Sequence, residues 1–102
     1  MTWLIAPSAE ACLEEIIADL RRRGRDVRAF EQDLRKAMTR ILAFPKHGRE
    51  VPEFQGSAFR EFTVPPYRFF YSVDEAAKKL WLVDVWHRNQ VPKHPHMPAA
   101  AR

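Results

Sequence analysis

The chain has 102 residues, 46% of them hydrophobic and 12% aromatic, which suffices for one small core and excludes two domains. Lys and Arg number 17 against 13 Asp and Glu, a formal charge of +4 that favours an anionic partner, either nucleic acid or an acidic protein segment. The single cysteine, Cys12, rules out an internal disulfide and suits a reducing cytosol, no apolar run approaches the roughly 20 residues of a membrane span, and no secretion signal is expected.

In chain order, Thr2 to Ala6 is a short apolar run closed by Pro7 and reads as a strand at a sheet edge. Ser8 is the expected N-cap of a first helix, with Glu10 in its first turn and Leu13, Ile16, Ile17 and Leu20 recurring at helical spacing. Arg21, Arg22 and Arg23 fall in the last turn and Gly24 ends it. Asp26 caps a second helix whose apolar face is Val27, Phe30, Leu34, Met38, Ile41 and Leu42, and Pro45 terminates it. So short a connection predicts a helical hairpin.

Lys46 to Ser57 (KHGREVPEFQGS) holds two glycines, a proline and four charges and reads as a loop with a brief extended piece at Val51-Pro52. In the stretch FREFTVPPYRFFY, Phe62 and Val64 alternate before Pro65-Pro66, and Phe69, Tyr71 and Val73 alternate after it, which predicts two strands around a tight corner. Arg60 and Arg68 sit inside this apolar hairpin and require a partner or a ligand. Asp74 to Lys79 is a polar turn. Leu80 to His87 is apolar on both faces, as in a central strand covered on both sides; alternation groups Trp81, Val83, Val85 and His87 against Leu80, Leu82, Asp84 and Trp86. The expected architecture is α+β, β-α-α-β-β-β, a helical hairpin packed on one face of a mostly antiparallel sheet, with arginines projecting into a hollow on the other face. Residues 1–92 form the domain and 93–102 a Pro-rich tail; its His94 and His96 lack further ligands in range, so no metal site and no cofactor are expected. Cys12 is expected to be inert packing.

The element order, the loop GREVPEF, the hairpin FREFTVPPYRFFY and the strand ending VWHRNQVP together resemble the RelE/ParE superfamily of type II toxin–antitoxin toxins, over roughly Leu4 to Pro92. The resemblance implies a cytoplasmic, growth-inhibiting toxin held by a cognate antitoxin. One branch of the superfamily cleaves messenger RNA on the ribosome without a metal; another poisons DNA gyrase and performs no chemistry. For RNA cleavage the resemblance implies Glu53 as base, Arg68 as the cation that stabilises the phosphorane and His87 as the acid. Glu50 is a second candidate base, and Arg49, Arg60 and Arg88 are candidate RNA-binding cations. This ribosome-dependent endoribonuclease is the leading reading. The RNA-cleaving branch often carries a tyrosine directly after the histidine, where this chain has Arg88, and that departure supports the gyrase poison as the alternative. A third reading is a non-toxic binding module. Structural alternatives stand beside each residue: Arg68 pairs with Asp84 or Glu61, Arg60 pairs with Glu61 or Glu53, His87 is a satisfied strand-end histidine, and Glu50 and Glu53 are solvated loop charges. The arginines from Arg21 to Arg28 suit a solvated helix end or non-specific phosphate contacts.

Overall fold

The computed structural model describes residues 1–54 and 56–89. The tail from 93 to 102, with His94 and His96, lies outside them. The elements are Thr2–Ile5 (β1), Pro7–Arg22 (α1), Val27–Ala43 (α2), Arg49–Glu50 (β2), a 3-10 turn Pro52–Phe54, Phe59–Val64 (β3), Tyr67–Asp74 (β4) and Lys79–His87 (β5). They form one five-stranded sheet in the order β1-β5-β4-β3-β2. β1 runs parallel to β5 at one edge and every other pair is antiparallel. The architecture is the expected α+β one, with an added edge strand that the loop Lys46 to Ser57 contributes.

Local chemistry explains the helix ends. Asp26 caps α2 as expected, its carboxylate accepting from the Ala29 N–H at 3.0 Å. α1 starts two residues earlier than the Ser8 cap implies: Pro7 opens it, pre-set in φ and needing no donor, and Ala6 provides no side-chain cap. Ser8 instead donates from Oγ to the Val83 carbonyl at 2.7 Å, which fastens α1 to the sheet. At the other end Gly24 adopts φ 65°, the Gly24 N–H reaches Arg21 O and the Arg25 N–H reaches Leu20 O, a Schellman closure.

One face of the sheet carries the helices. Phe69, Leu82, Val85 and Val64 bury against Ala9 and Phe30, with Leu13, Ile16, Leu20 and Leu34 around them; Ile41, Tyr71 and Leu80 continue this core. The opposite face holds a second core, Val51, Phe59, Phe70, Val83 and Trp86, roofed by Phe54 and flanked by Trp81. The expected hollow is therefore filled, because the β2 segment and the turn after it fold over the sheet.

The two cores depend on a bulge in β5. Phe70 pairs with Asp84 but Tyr71 pairs with Leu82, so Val83 has no partner across the ladder. The extra residue inverts the side-chain parity of the strand. Leu80, Leu82 and Val85 face the helices while Trp81, Val83 and Trp86 face away. Simple alternation along the strand misassigns every residue after the bulge. The carbonyl freed at Val83 is the one Ser8 satisfies, and the Leu82 carbonyl accepts from the Ala6 N–H at 2.9 Å.

Candidate functional site

Arg68 lies on the face away from the helices, its guanidinium over the Phe70 ring at 5.2 Å. Its Nε donates to Glu61 Oε2 at 2.7 Å, its Nη1 to Glu53 Oε2 at 2.8 Å, and its Nη2 to Glu53 Oε1 at 2.7 Å and to Glu61 Oε1 at 3.2 Å. Four of the five N–H bonds that a guanidinium offers are thus engaged by carboxylates. The Arg68 side chain is 11% exposed, that of Glu61 is wholly buried and that of Glu53 is 37% exposed. Arg49 completes the cluster, Nε to Glu61 Oε1 at 2.7 Å. Two cations and two carboxylates balance, so the cluster presents no net charge to a phosphate.

The cluster is built by register. Arg49 stands across from Glu61, with Arg68 two pairs further along the neighbouring ladder at Thr63, on the same face. Glu53 arrives from the 3-10 turn, which Val51 and Phe54 seat on the second core. Of the two predicted partners for Arg68, Glu61 is the one used. Asp84 is tied at the bulge, accepting from the Val85 N–H and Trp86 Nε1, both at 2.9 Å, and from Cys12 Sγ at 3.6 Å. Cys12 is accordingly packed and paired, and burial together with the Asp84 carboxylate pushes its thiol pKa up, away from reactivity.

The direct hydrogen bonds from Arg68 hold the Glu53 carboxyl down from 4.5 to about 2, and the same two carboxylates raise the pKa of Arg68. A base this weak is poorly matched to taking a proton from a hydroxyl. The linkage has a definite sign. A depressed carboxylate contributes stability in full above its unfolded pKa and loses it as pH falls through the folded one. The stability that ionised Glu53 contributes is expected to be lost as pH falls from 4.5 to about 2. Thermal melts across that window should fall more steeply for the native chain than for Glu53→Gln.

His87 stands elsewhere. It pairs with Tyr67 in register, and the two rings meet edge to face at 5.7 Å. The bulge turns it to the helix side, where it borders a groove with Cys12, Glu15 and Asp19 of α1. Its Nδ1 accepts from the Asn89 N–H at 3.2 Å. The structure therefore brings Glu53 and Arg68 together and places His87 on the other face of the sheet.

The remaining candidates divide as well. Arg60 faces the helix side and gives Nη1 to the Gly48 carbonyl at 2.8 Å, so neither Glu61 nor Glu53 is its partner. Arg88 is exposed, with its backbone N–H bonded to Pro66 O at 2.8 Å. Glu50 is exposed on β2 across from Arg60. Two features escape a reading by residue type. The first is Glu61 as the buried hub of the ion cluster; the alternation of β3, which makes it the partner of Phe70 on a covered face, was the available signal. The second is a knot around Tyr71, whose hydroxyl donates to Pro45 O at 2.8 Å and accepts from the Gly48 N–H at 2.9 Å.

A helical hairpin on one face of an open, mostly antiparallel five-stranded sheet is consistent with the RelE/ParE toxins. Residues 4–92 match the family described as ParE toxin of the type II toxin-antitoxin system, parDE, and the chain belongs to that family. No curated protein is similar enough to match the chain. No helix among the described residues is long and apolar enough to cross a membrane.

Proposed function

We propose that this toxin arrests growth by binding DNA gyrase rather than by cutting RNA. The observation that carries this reading is the engagement of Arg68. To meet a phosphorane its guanidinium would have to leave two carboxylates, one of them wholly buried, at the penalty of an uncompensated charge. His87, the required acid, is across the sheet beside Glu15 and Asp19, whose charge disfavours a phosphodiester. Arg88 in the position after the histidine and the ParE family match point the same way. The partners are then gyrase and, as for any toxin of a type II module, a separately encoded antitoxin.

The test is purified gyrase with relaxed plasmid. The full chain is expected to block supercoiling and to accumulate cleaved DNA, while translated messages in arrested cells stay intact. Cleavage of a translated message by the chain, abolished in His87→Gln, would overturn the proposal. On the gyrase reading His87→Gln still arrests growth, because the imidazole transfers no proton.

A further inference from the structure

We infer that the solvent face of α2 is a binding ridge for the phosphate backbone of duplex DNA. At about 100° per residue, Arg28, Gln32, Arg35, Lys36 and Thr39 fall within about 100° of arc, and Arg40 extends it. All six are exposed. None of the four cations takes part in an ion pair within the described residues, whereas Arg22 and Arg23 at the end of α1 share the Asp19 carboxylate at 3.0 and 3.1 Å. The two carboxylates of the helix, Glu31 and Asp33, lie outside the arc, one on each side. From Arg28 to Arg40 the ridge runs about 18 Å, the length over which duplex DNA presents about ten phosphate charges.

The distribution of charge singles out this face. The first 19 residues hold no Lys or Arg, and α1 exposes Glu10, Glu14 and Glu15, so the two helices carry opposite signs. A surface selected only for solubility intersperses its charges. A segregated one orients the molecule as it approaches a polyanion. The chemistry of the ridge also selects among polyanions. It holds no aromatic side chain, so it offers no stacking platform to an unpaired base. The apolar groove of the hairpin, lined by Leu13, Ile17, Phe30, Leu34, Met38 and Leu42, borders the ridge, and Arg35 and Thr39 line both. What the ridge can read is regularly spaced phosphate. It deepens the gyrase-directed reading, on which it rests for its setting: a toxin bound to gyrase lies beside the DNA that gyrase holds.

The measurement uses the full chain and a fluorescent duplex of about two helical turns, without gyrase, so that failure of the ridge and failure of gyrase inhibition are seen separately. With four phosphate contacts, each twofold rise in salt should weaken binding about tenfold. The triple variant Arg28→Glu, Arg35→Glu, Lys36→Glu should bind at least about tenfold more weakly and with a shallower salt slope. The control Arg22→Glu, Arg23→Glu alters the paired arginines and should lose much less. Circular dichroism should be unchanged in both, since every altered residue is exposed. Binding insensitive to salt, equal loss in the control, or tighter binding to single-stranded RNA or to an acidic peptide of equal charge would each overturn the inference.

Discussion

Glu61→Ala is expected to destabilise the fold by about 3–5 kcal/mol, the penalty typical of removing one partner from a buried ion pair. Glu61 is wholly buried and joins two arginines, Arg49 at 2.7 Å and Arg68 at 2.7 Å. Without it Arg68 keeps Glu53, but the Nε–H on its inner side loses its acceptor in a setting of Phe70 and the second core. Removing Arg68 as well should recover much of the loss: the pair Glu61→Leu, Arg68→Met replaces buried charges by hydrocarbon of similar volume, and such exchanges are often neutral or stabilising. Denaturant unfolding of Glu61→Leu, Arg68→Met and the double variant reads the coupling directly. A catalytic Arg68 predicts that the repaired double variant folds but loses toxicity; the gyrase-directed reading predicts that toxicity returns with the fold. Stability and growth arrest measured on the same three proteins therefore separate a structural cluster from a chemical one.

That cluster also marks how far the sequence could be read. The helical hairpin is legible because its signals are local: Asp26 caps, Gly24 and Pro45 stop, and the apolar residues recur at helical spacing. The central hairpin is legible for the same reason, Pro65-Pro66 standing between two alternating runs, and so is the demand that Arg68 have a partner. The bulge at Val83 has no such signal. When both faces of a strand are apolar, an inserted residue leaves the pattern looking regular, so alternation alone carries His87 to the wrong side. The β2 segment is two residues long and pairs only through β3, so nothing in GREVPEF announces that it roofs a second core. The expected arginine-lined hollow followed from that omission. An open sheet face would expose the Arg68 guanidinium, whereas a covered one obliges it to find acceptors inside the protein, and Arg60 projects from the other face altogether.

Gly48→Ala is the second substitution expected to be severe, by about 2–3 kcal/mol. Gly48 is buried where the chain leaves the helical hairpin for β2. A Cβ there would collide with the Tyr71 hydroxyl, stand 2.6 Å from the Tyr71 ring and 2.8 Å from the Glu61 carbonyl, and the backbone atom among these cannot swing aside. Relief requires Tyr71 to retreat, yet that hydroxyl bonds both Pro45 O and the Gly48 N–H while its ring sits in the core with Ile41 and Leu80. Arg60 would lose its grip on the Gly48 carbonyl in the same movement. Tyr71→Phe isolates the hydrogen-bond part: it leaves the ring in place and strips partners from one buried N–H and one carbonyl, at about 1–2 kcal/mol. The larger loss for Gly48→Ala than for Tyr71→Phe, read by thermal or denaturant unfolding, is the result expected if close approach rather than the hydroxyl dictates glycine. The consequence reaches the ion cluster, because Gly48 is the last fixed point before Arg49 and the turn that carries Glu53. Loosening it should release the roof of the second core, so protease cleavage between Gly48 and Phe59 is expected to appear in Gly48→Ala under conditions where Tyr71→Phe remains intact.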